Sequence, residues 1–206
     1  MEQPQLSLHW ENIYQTKALT EVSWYQEVPD TSLQLIQQLQ LPFSAKIIDI
    51  CGGDSLLVDH LLMLGYTDIT VLDISATAIE KAKQRLGEKW KSVKWIITDI
   101  TKFDPTEKYD VWHDRAAFHF LSHDLLVEKY VAIANQFIQP GGFLVLGTFA
   151  ENGPKKCSGL DIRQYSEENM SLLFQDGFQK IDCFEIGHHT PSNSVQQFQF
   201  CTFKKR

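Results

Sequence analysis

The sequence predicts an α/β fold: a doubly wound, seven-stranded, mostly parallel sheet whose last strand is antiparallel. Three observations carry that reading. Residues 46–55 read Lys-Ile-Ile-Asp-Ile-Cys-Gly-Gly-Asp-Ser, a buried strand that runs into a tight turn at Gly52-Gly53, and an amphipathic stretch at 56–64 follows at once. Strand, glycine turn and helix form the first half of a βαβ unit, which binds ligands at the strand's carboxyl end. Short apolar runs and helical patterns then alternate up to residue 149, as a parallel sheet with crossover helices requires. After residue 178 two strand-like runs succeed each other with no helix between them, so they pair antiparallel.

Each element has a local reason. Residues 1–30 read as an appendage to the alternating fold, with a short helix around 9–14 and an aromatic stretch at 22–26. Pro29-Asp30-Thr31 opens a helix in which Thr31 and Gln34 stand at capping-box spacing and Leu35, Ile36 and Leu39 form the apolar side; Pro42 closes it. The first strand and its turn lead into the helix at 56–64, stopped by Gly65. Strand two covers 69–72, and Ser75 can cap a helix in which Ile79, Ala82 and Leu86 share a face. Strand three covers 93–97 and ends at Thr98-Asp99-Ile100, and strand four covers 109–112 and runs into His113-Asp114-Arg115. A helix at 122–138 carries Leu126, Tyr130, Ile133 and Phe137 on one stripe, and Pro140-Gly141-Gly142 turns the chain into strand five at 143–149. Residues 150–165 read as a polar loop at the ligand edge, 166–174 as a short helix, and 178–186 and 197–203 as the two closing strands, joined by a loop that holds Gly187-His188-His189-Thr190-Pro191.

Composition bounds the function. A chain of 206 residues, 43% hydrophobic and 22% charged, suits one domain over 1–206 with a sizeable core. The net charge of -7 argues against a duplex-binding surface. Cys51, Cys157, Cys183 and Cys201 are far apart, with no metal spacing, and read as reduced thiols. The first residues lack the basic and apolar regions of a signal peptide, and the apolar runs are too short for a membrane span. The expectation is a cytoplasmic protein with no metal, no nucleic-acid partner and no membrane partner.

About twenty residues beyond Gly53, strand two ends in Asp73, the spacing at which a carboxylate accepts hydrogen bonds from a ribose diol. The site reads as nucleoside-binding. A dinucleotide turn wants G-x-G-x-x-G, and those places hold Cys51, Gly53 and Leu56, so only the middle glycine is present. The stretch from Asp49 to Ser55 resembles motif I of the class I S-adenosylmethionine (SAM)-dependent methyltransferases, Asp-x-Gly-x-Gly-x-Gly, with Cys51 at the first glycine and Ser55 at the third. SAM carries no phosphate, which relaxes the demand for glycine. The antiparallel ending and the Pro140-Gly141-Gly142 turn are further points of similarity to that family.

The resemblance implies a set of cofactor contacts. Asp73 holds the ribose and Ile74 packs on the adenine; Asp99 and Ile100 meet the adenine edge; Asp49 lies near the methionyl ammonium; Gly52, Gly53 and Asp54 line the amino-acid end. For the acidic residues the alternative is that each caps the helix that follows it. The segment 1–30 would be a lid, with Trp24, and less surely Tyr14, facing the sulfonium or adenine; alternatively these aromatics pack on the sheet's edge. His113 is the first candidate for a general base and a cofactor contact, His119 a second, and the alternative for His113 is a hydrogen-bonded packing histidine. Asp114 and Arg115 read as an ion pair or as helix-start groups, although a guanidinium there would suit a carboxylate substrate. Cys157 reads as a surface loop cysteine, His188-His189 as a solvated loop, and the Lys204-Lys205-Arg206 end as a charged tail.

The (Asn/Asp/Ser)-Pro-Pro-(Tyr/Phe) signature of amino-methylating nucleic-acid and glutamine enzymes is absent. The expected function is therefore SAM-dependent methyl transfer to a small molecule or, second, a protein side chain. Two rivals stand beside it: a non-catalytic SAM-binding or partner-binding module, favoured by the side chains at Cys51 and Ser55, and an NAD(P)-dependent oxidoreductase, disfavoured by the missing glycines.

Overall fold

A computed structural model describes residues 3–206, with side chains from residue 5 onward. The elements in chain order are α1 (Gln3–Thr16), α2 (Asp30–Gln38), β1 (Lys46–Ile50), α3 (Leu57–Leu64), β2 (Asp68–Asp73), α4 (Ala76–Leu86), β3 (Val93–Ile97), β4 (Tyr109–Arg115), α5 (Asp124–Phe137), β5 (Ile138–Phe149), β6 (Lys156–Cys157), β7 (Leu160–Asp161), α6 (Glu167–Phe174), β8 (Phe178–His189) and β9 (Val195–Lys205). Seven strands form one sheet in the order β3-β2-β1-β4-β5-β9-β8. β1 to β5 are mutually parallel, and β9 runs antiparallel to both β5 and β8. The predicted sheet is the observed one.

Strand alternation divides the core in two. Ile47, Val71, Val111 and Val145 pack with α2, α3 and α4 on one face. Ile48, Ile50, Trp112 and Leu146 pack with α5 and α6 on the other. Because the central strands are covered on both faces, they read as continuous apolar runs. β1 sits between β2 and β4, so its carboxyl end opens at the point where the sheet order reverses, the place open α/β sheets bind ligands.

Several expectations need correction. The helix near the N-terminus is α1, fourteen residues long. α2 starts at Asp30 with Pro29 at its N-cap and no side-chain cap, so Thr31 does not form the expected capping box. β4 continues through His113 and Asp114 to Arg115, because β1 and β5 flank it and supply ladder partners: Ile50 opposite Asp114, and Gly147 opposite Arg115. Asp114 and Arg115 are neighbours in a strand, so their side chains take opposite faces and form no ion pair. Within 150–165 lies a small hairpin, β6–β7, whose turn residues Ser158 and Gly159 both have positive φ, as a two-residue hairpin turn demands. His188 and His189 belong to β8, opposite Gln196 and Val195, and not to a loop. Cys183 and Cys201 face one another across β8 and β9 and are joined in a disulfide, so only Cys51 and Cys157 are free thiols. Among the described residues no helix is long and apolar enough to cross a membrane.

Candidate active site

The bend after β1 is shaped by close approach. Cys51 and Gly53 both have positive φ, and the Gly52 amide donates to the Leu72 carbonyl at 3.1 Å, tying the bend to β2. A methyl group on Gly52 would lie 2.4 Å from Asp49 Oδ2. One on Gly53 would lie 2.5 Å from the Tyr14 hydroxyl and 3.0 Å from Asp73 Oδ2. The bend, Asp73 and Tyr14 of α1 therefore converge on one point, and no side chain fits there.

Asp73 ends β2, is buried, and accepts the Ser75 amide on Oδ1 at 2.8 Å. Burial pushes its carboxyl up to about 7. Asp99 accepts the Thr101 amide and hydroxyl at 2.8 and 2.9 Å, the capping role named as the alternative for it, while still lining the cavity with Ile74 and Ile100. Asp49, on the other side of the bend, accepts from His113 Nδ1 at 2.7 Å. His113 Nε2 in turn meets the Ser32 hydroxyl of α2 at 2.8 Å. Both nitrogens of this buried ring are thus engaged by protein partners.

Two cavities share Tyr14, Trp24, Cys51 and Arg115. One extends toward Asp49, Gly52 and His113, the other toward Asp73, Asp99 and a wall of Phe120, Phe149 and Phe198. The second encloses about 100 Å³, below the ~300 Å³ at which small-molecule sites usually begin. Its roof is aromatic: Trp10 stands 5.8 Å from Trp24 and 5.0 Å from Phe120, ring centre to ring centre, both edge-on.

Not every expected residue faces this space. The Asp54 side chain turns away to pair with Arg85. His119 is buried and stacks on Phe149 at 4.4 Å; burial pushes it down to about 3, so it stays neutral. Asp114 faces α5, where it accepts the Tyr130 hydroxyl at 2.7 Å and the Ala117 and Phe118 amides at 3.2 Å. Cys157 is buried and lines the aromatic cavity, contrary to a surface position, because the β6–β7 hairpin folds it inward; burial pushes its thiol up. His188 is buried too, donating from Nε2 to the Ser23 carbonyl at 2.7 Å, which links β8 to the N-terminal segment. No metal-binding group of three or more such ligands occurs among the described residues.

Two positioning residues escaped the sequence reading. Arg85 of α4 donates to the Asp54 carbonyl at 3.1 Å, the Ser55 carbonyl at 2.9 Å and both oxygens of Asp59, clamping the bend from outside. Glu11 of α1 accepts the Ala76 and Thr77 amides at 2.5 and 3.2 Å, capping α4 and docking the N-terminal helix over the cavity. Neither carries a sequence signal: Glu11 lies in the middle of α1, and the amides it accepts are sixty-five and sixty-six residues away.

The sheet order together with a glycine bend facing an acid at the next strand's end defines a class I methyltransferase fold. Residues 47–142 match the family model described as a methyltransferase domain. The chain is 27% identical over 107 residues to malonyl-acyl-carrier protein O-methyltransferase 2 of Ilyobacter polytropus, covering 52% of this chain and 40% of that one. It is 27% identical over 143 residues to the eEF1A lysine and N-terminal methyltransferase of Mus musculus, covering 65% of this chain and 20% of that one. The match thus spans two fifths or less of the length of these curated relatives. The N-methyltransferase NodS of Bradyrhizobium japonicum, solved with S-adenosylhomocysteine (SAH), shares the fold with a TM-score of 0.70 at 16% identity, over 95% of this chain and 97% of that one. The chain thus has the fold of the class I methyltransferases and matches the methyltransferase-domain model over residues 47–142, just under half of its length.

Proposed function

We propose that the chain transfers a methyl group from SAM to a small-molecule acceptor and releases SAH. The observation that carries the reading is the meeting of Asp73 Oδ2 with the Gly53 bend at the edge of an aromatic cavity. An ionised Asp73 accepts from both ribose hydroxyls, Ile74 and Ile100 bracket the adenine, and Asp99 meets its amino group. Gly52 and Gly53 give the amino-acid end room to lie against backbone, and Asp49 faces the ammonium. Bound SAM supplies a methyl group on a sulfonium, already activated toward a nucleophile. The protein's share is alignment and exclusion of water, and Trp10, Trp24 and Phe120 provide an apolar wall for both.

His113 has a different part in this reading from the base first expected. With Asp49 on one nitrogen and Ser32 on the other, it orients the carboxylate that receives the ammonium. Asp54 acts through Arg85 to hold the bend and does not touch the cofactor. The N-terminal segment is a lid: the narrow cavity and the Tyr14 hydroxyl against Gly53 support a closed position that must yield on binding. The chain is read as one domain over 1–206, with 150–165 on the acceptor side, where Cys157 reaches the cavity. A cytoplasmic location and a preference for metabolites over nucleic acid are parts of the same proposal, the latter supported by the net charge of -7.

Calorimetric titration with SAH tests the reading. The wild type is expected to bind and Asp73→Ala to lose affinity by about ten-fold or more with its fold intact, as loss of two hydrogen bonds to an ionised group implies. Undiminished binding in Asp73→Ala counts against it.

A further inference from the structure

Arg115 closes β4 on the cavity side, and it is the one lysine or arginine among the residues that line the two cavities. Its Nη1 donates to the Trp24 carbonyl at 2.6 Å, and its guanidinium lies 4.6 Å from the centre of the Phe198 ring. Nε is buried without a partner among the described residues. No carboxylate of the described residues pairs with it: Asp114 is on the opposite face, Asp49 faces His113, and Asp73 and Asp99 face the amides and hydroxyl that follow them. Burial pushes the guanidinium down to about 10, which still leaves it charged at neutral pH.

A buried cation without a counter-ion is expensive and persists where something else repays it. Structural arginines are repaid by an internal acid, as Arg85 is by Asp54 and Asp59. Arg115 has instead an aromatic face, a carbonyl and the cavities it lines. The nitrogen already committed, Nη1, leaves the Nε–Nη2 edge, a planar fork that matches the two oxygens of a carboxylate. The cavity that Arg115 lines is walled also by Phe149, Phe198 and Cys157, which suit an apolar body attached to the anion. These residues lie on the β5–β9 side of the cavity, away from Asp73 and Asp99.

We propose that Arg115 is the anion-recognition residue of the acceptor subsite, and that the acceptor is a carboxylic acid with an aromatic or apolar body. The inference rests on the methyltransferase reading and narrows its substrate class. The other carboxylate that could reach this guanidinium is the one on the cofactor's own amino-acid end, and the experiment separates the two sources.

The test is calorimetry on the full chain. SAH-saturated wild type is titrated with benzoate and indole-3-acetate and with their neutral counterparts, benzamide and indole-3-acetamide. The expected result is binding of the acids tighter than the amides by about ten-fold or more, the scale of one charge-assisted bidentate contact. Equal affinities, or no binding of the acids, overturn the proposal without recourse to any variant. Arg115→Met is expected to lose the preference while its SAH affinity holds, and Arg115→Lys to keep part of it. If Arg115→Met instead loses SAH but keeps 5′-methylthioadenosine, which lacks the amino-acid group, the guanidinium serves the cofactor and the acceptor assignment falls. Failure of the wild type to bind SAH at all removes the methyltransferase reading first, a different outcome from loss of the acid preference.

Discussion

Arg85→Met isolates the clamp that shapes the bend. The Arg85 side chain is 23% exposed and its partner Asp54 only 7%, so the substitution leaves a buried carboxylate without its ion-pair partner. Removing one partner of a buried pair costs about 3–5 kcal/mol. Because Arg85 and Asp59 keep some water, about 2–4 kcal/mol is the appropriate range. For a chain of this size that is roughly 5–15 °C in Tm. Burial already pushes the Asp54 carboxyl up with Arg85 present, and without the guanidinium it rises further. A carboxyl whose folded pKa exceeds its unfolded value of about 3.9 binds more protons folded than unfolded, so stability falls as pH rises through that window. The deficit of Arg85→Met is therefore expected to be larger at pH 8 than at pH 5. Adding Asp54→Asn should return part of it, since the orphaned charge is gone. Urea denaturation at both pH values reads the stability, and SAH calorimetry reads the bend, whose Asp54 and Ser55 carbonyls have lost their donors. A deficit under about 1 kcal/mol, the level of an exposed pair, together with unchanged SAH affinity, refutes the clamp.

As the proposed ribose acceptor, Asp73 is expected to make cofactor affinity pH-dependent. With its carboxyl pushed up to about 7, the ionised acceptor is lost as pH falls through that value, so SAH affinity should weaken by about three- to ten-fold from pH 8 to pH 6. Asp73→Asn should flatten the profile, and a flat wild-type profile contradicts the assignment. Substituting His113 by Asn should weaken SAH binding and leave the pH profile of turnover in place; loss of one limb of that profile with SAH binding intact would restore it as the base. Glu11→Ala should release α1 from the α4 amides, speeding SAH dissociation measured by stopped flow. An unchanged rate would mean that α1 is held by its aromatic contacts alone.

The sheet was legible because its evidence is local: apolar runs of strand length, glycine turns, and two closing strands with no helix between. Asp73 was found by a spacing the βαβ unit imposes. What stayed hidden depends on register and on contacts distant in sequence. Whether Asp114 meets Arg115 turns on β4 continuing for three more residues, which its neighbours β1 and β5 decide. Cys183 and Cys201 meet only because β8 and β9 pair in one register, eighteen residues apart in sequence. Arg85 lies on a helix whose polar residues look like a solvated face, and its carboxylate partner Asp59 is twenty-six residues away. His113 was found as a residue but its partner Ser32 was not, since α2 packs on the same face of the sheet from eighty-one residues upstream.

A crystal structure with SAH tests the central claim most directly. The account predicts the two ribose hydroxyls on the Asp73 carboxylate, the adenine between Ile74 and Ile100, and the Tyr14 hydroxyl displaced from Gly53. Adenosine bound elsewhere, or with its ribose away from Asp73, would contradict it.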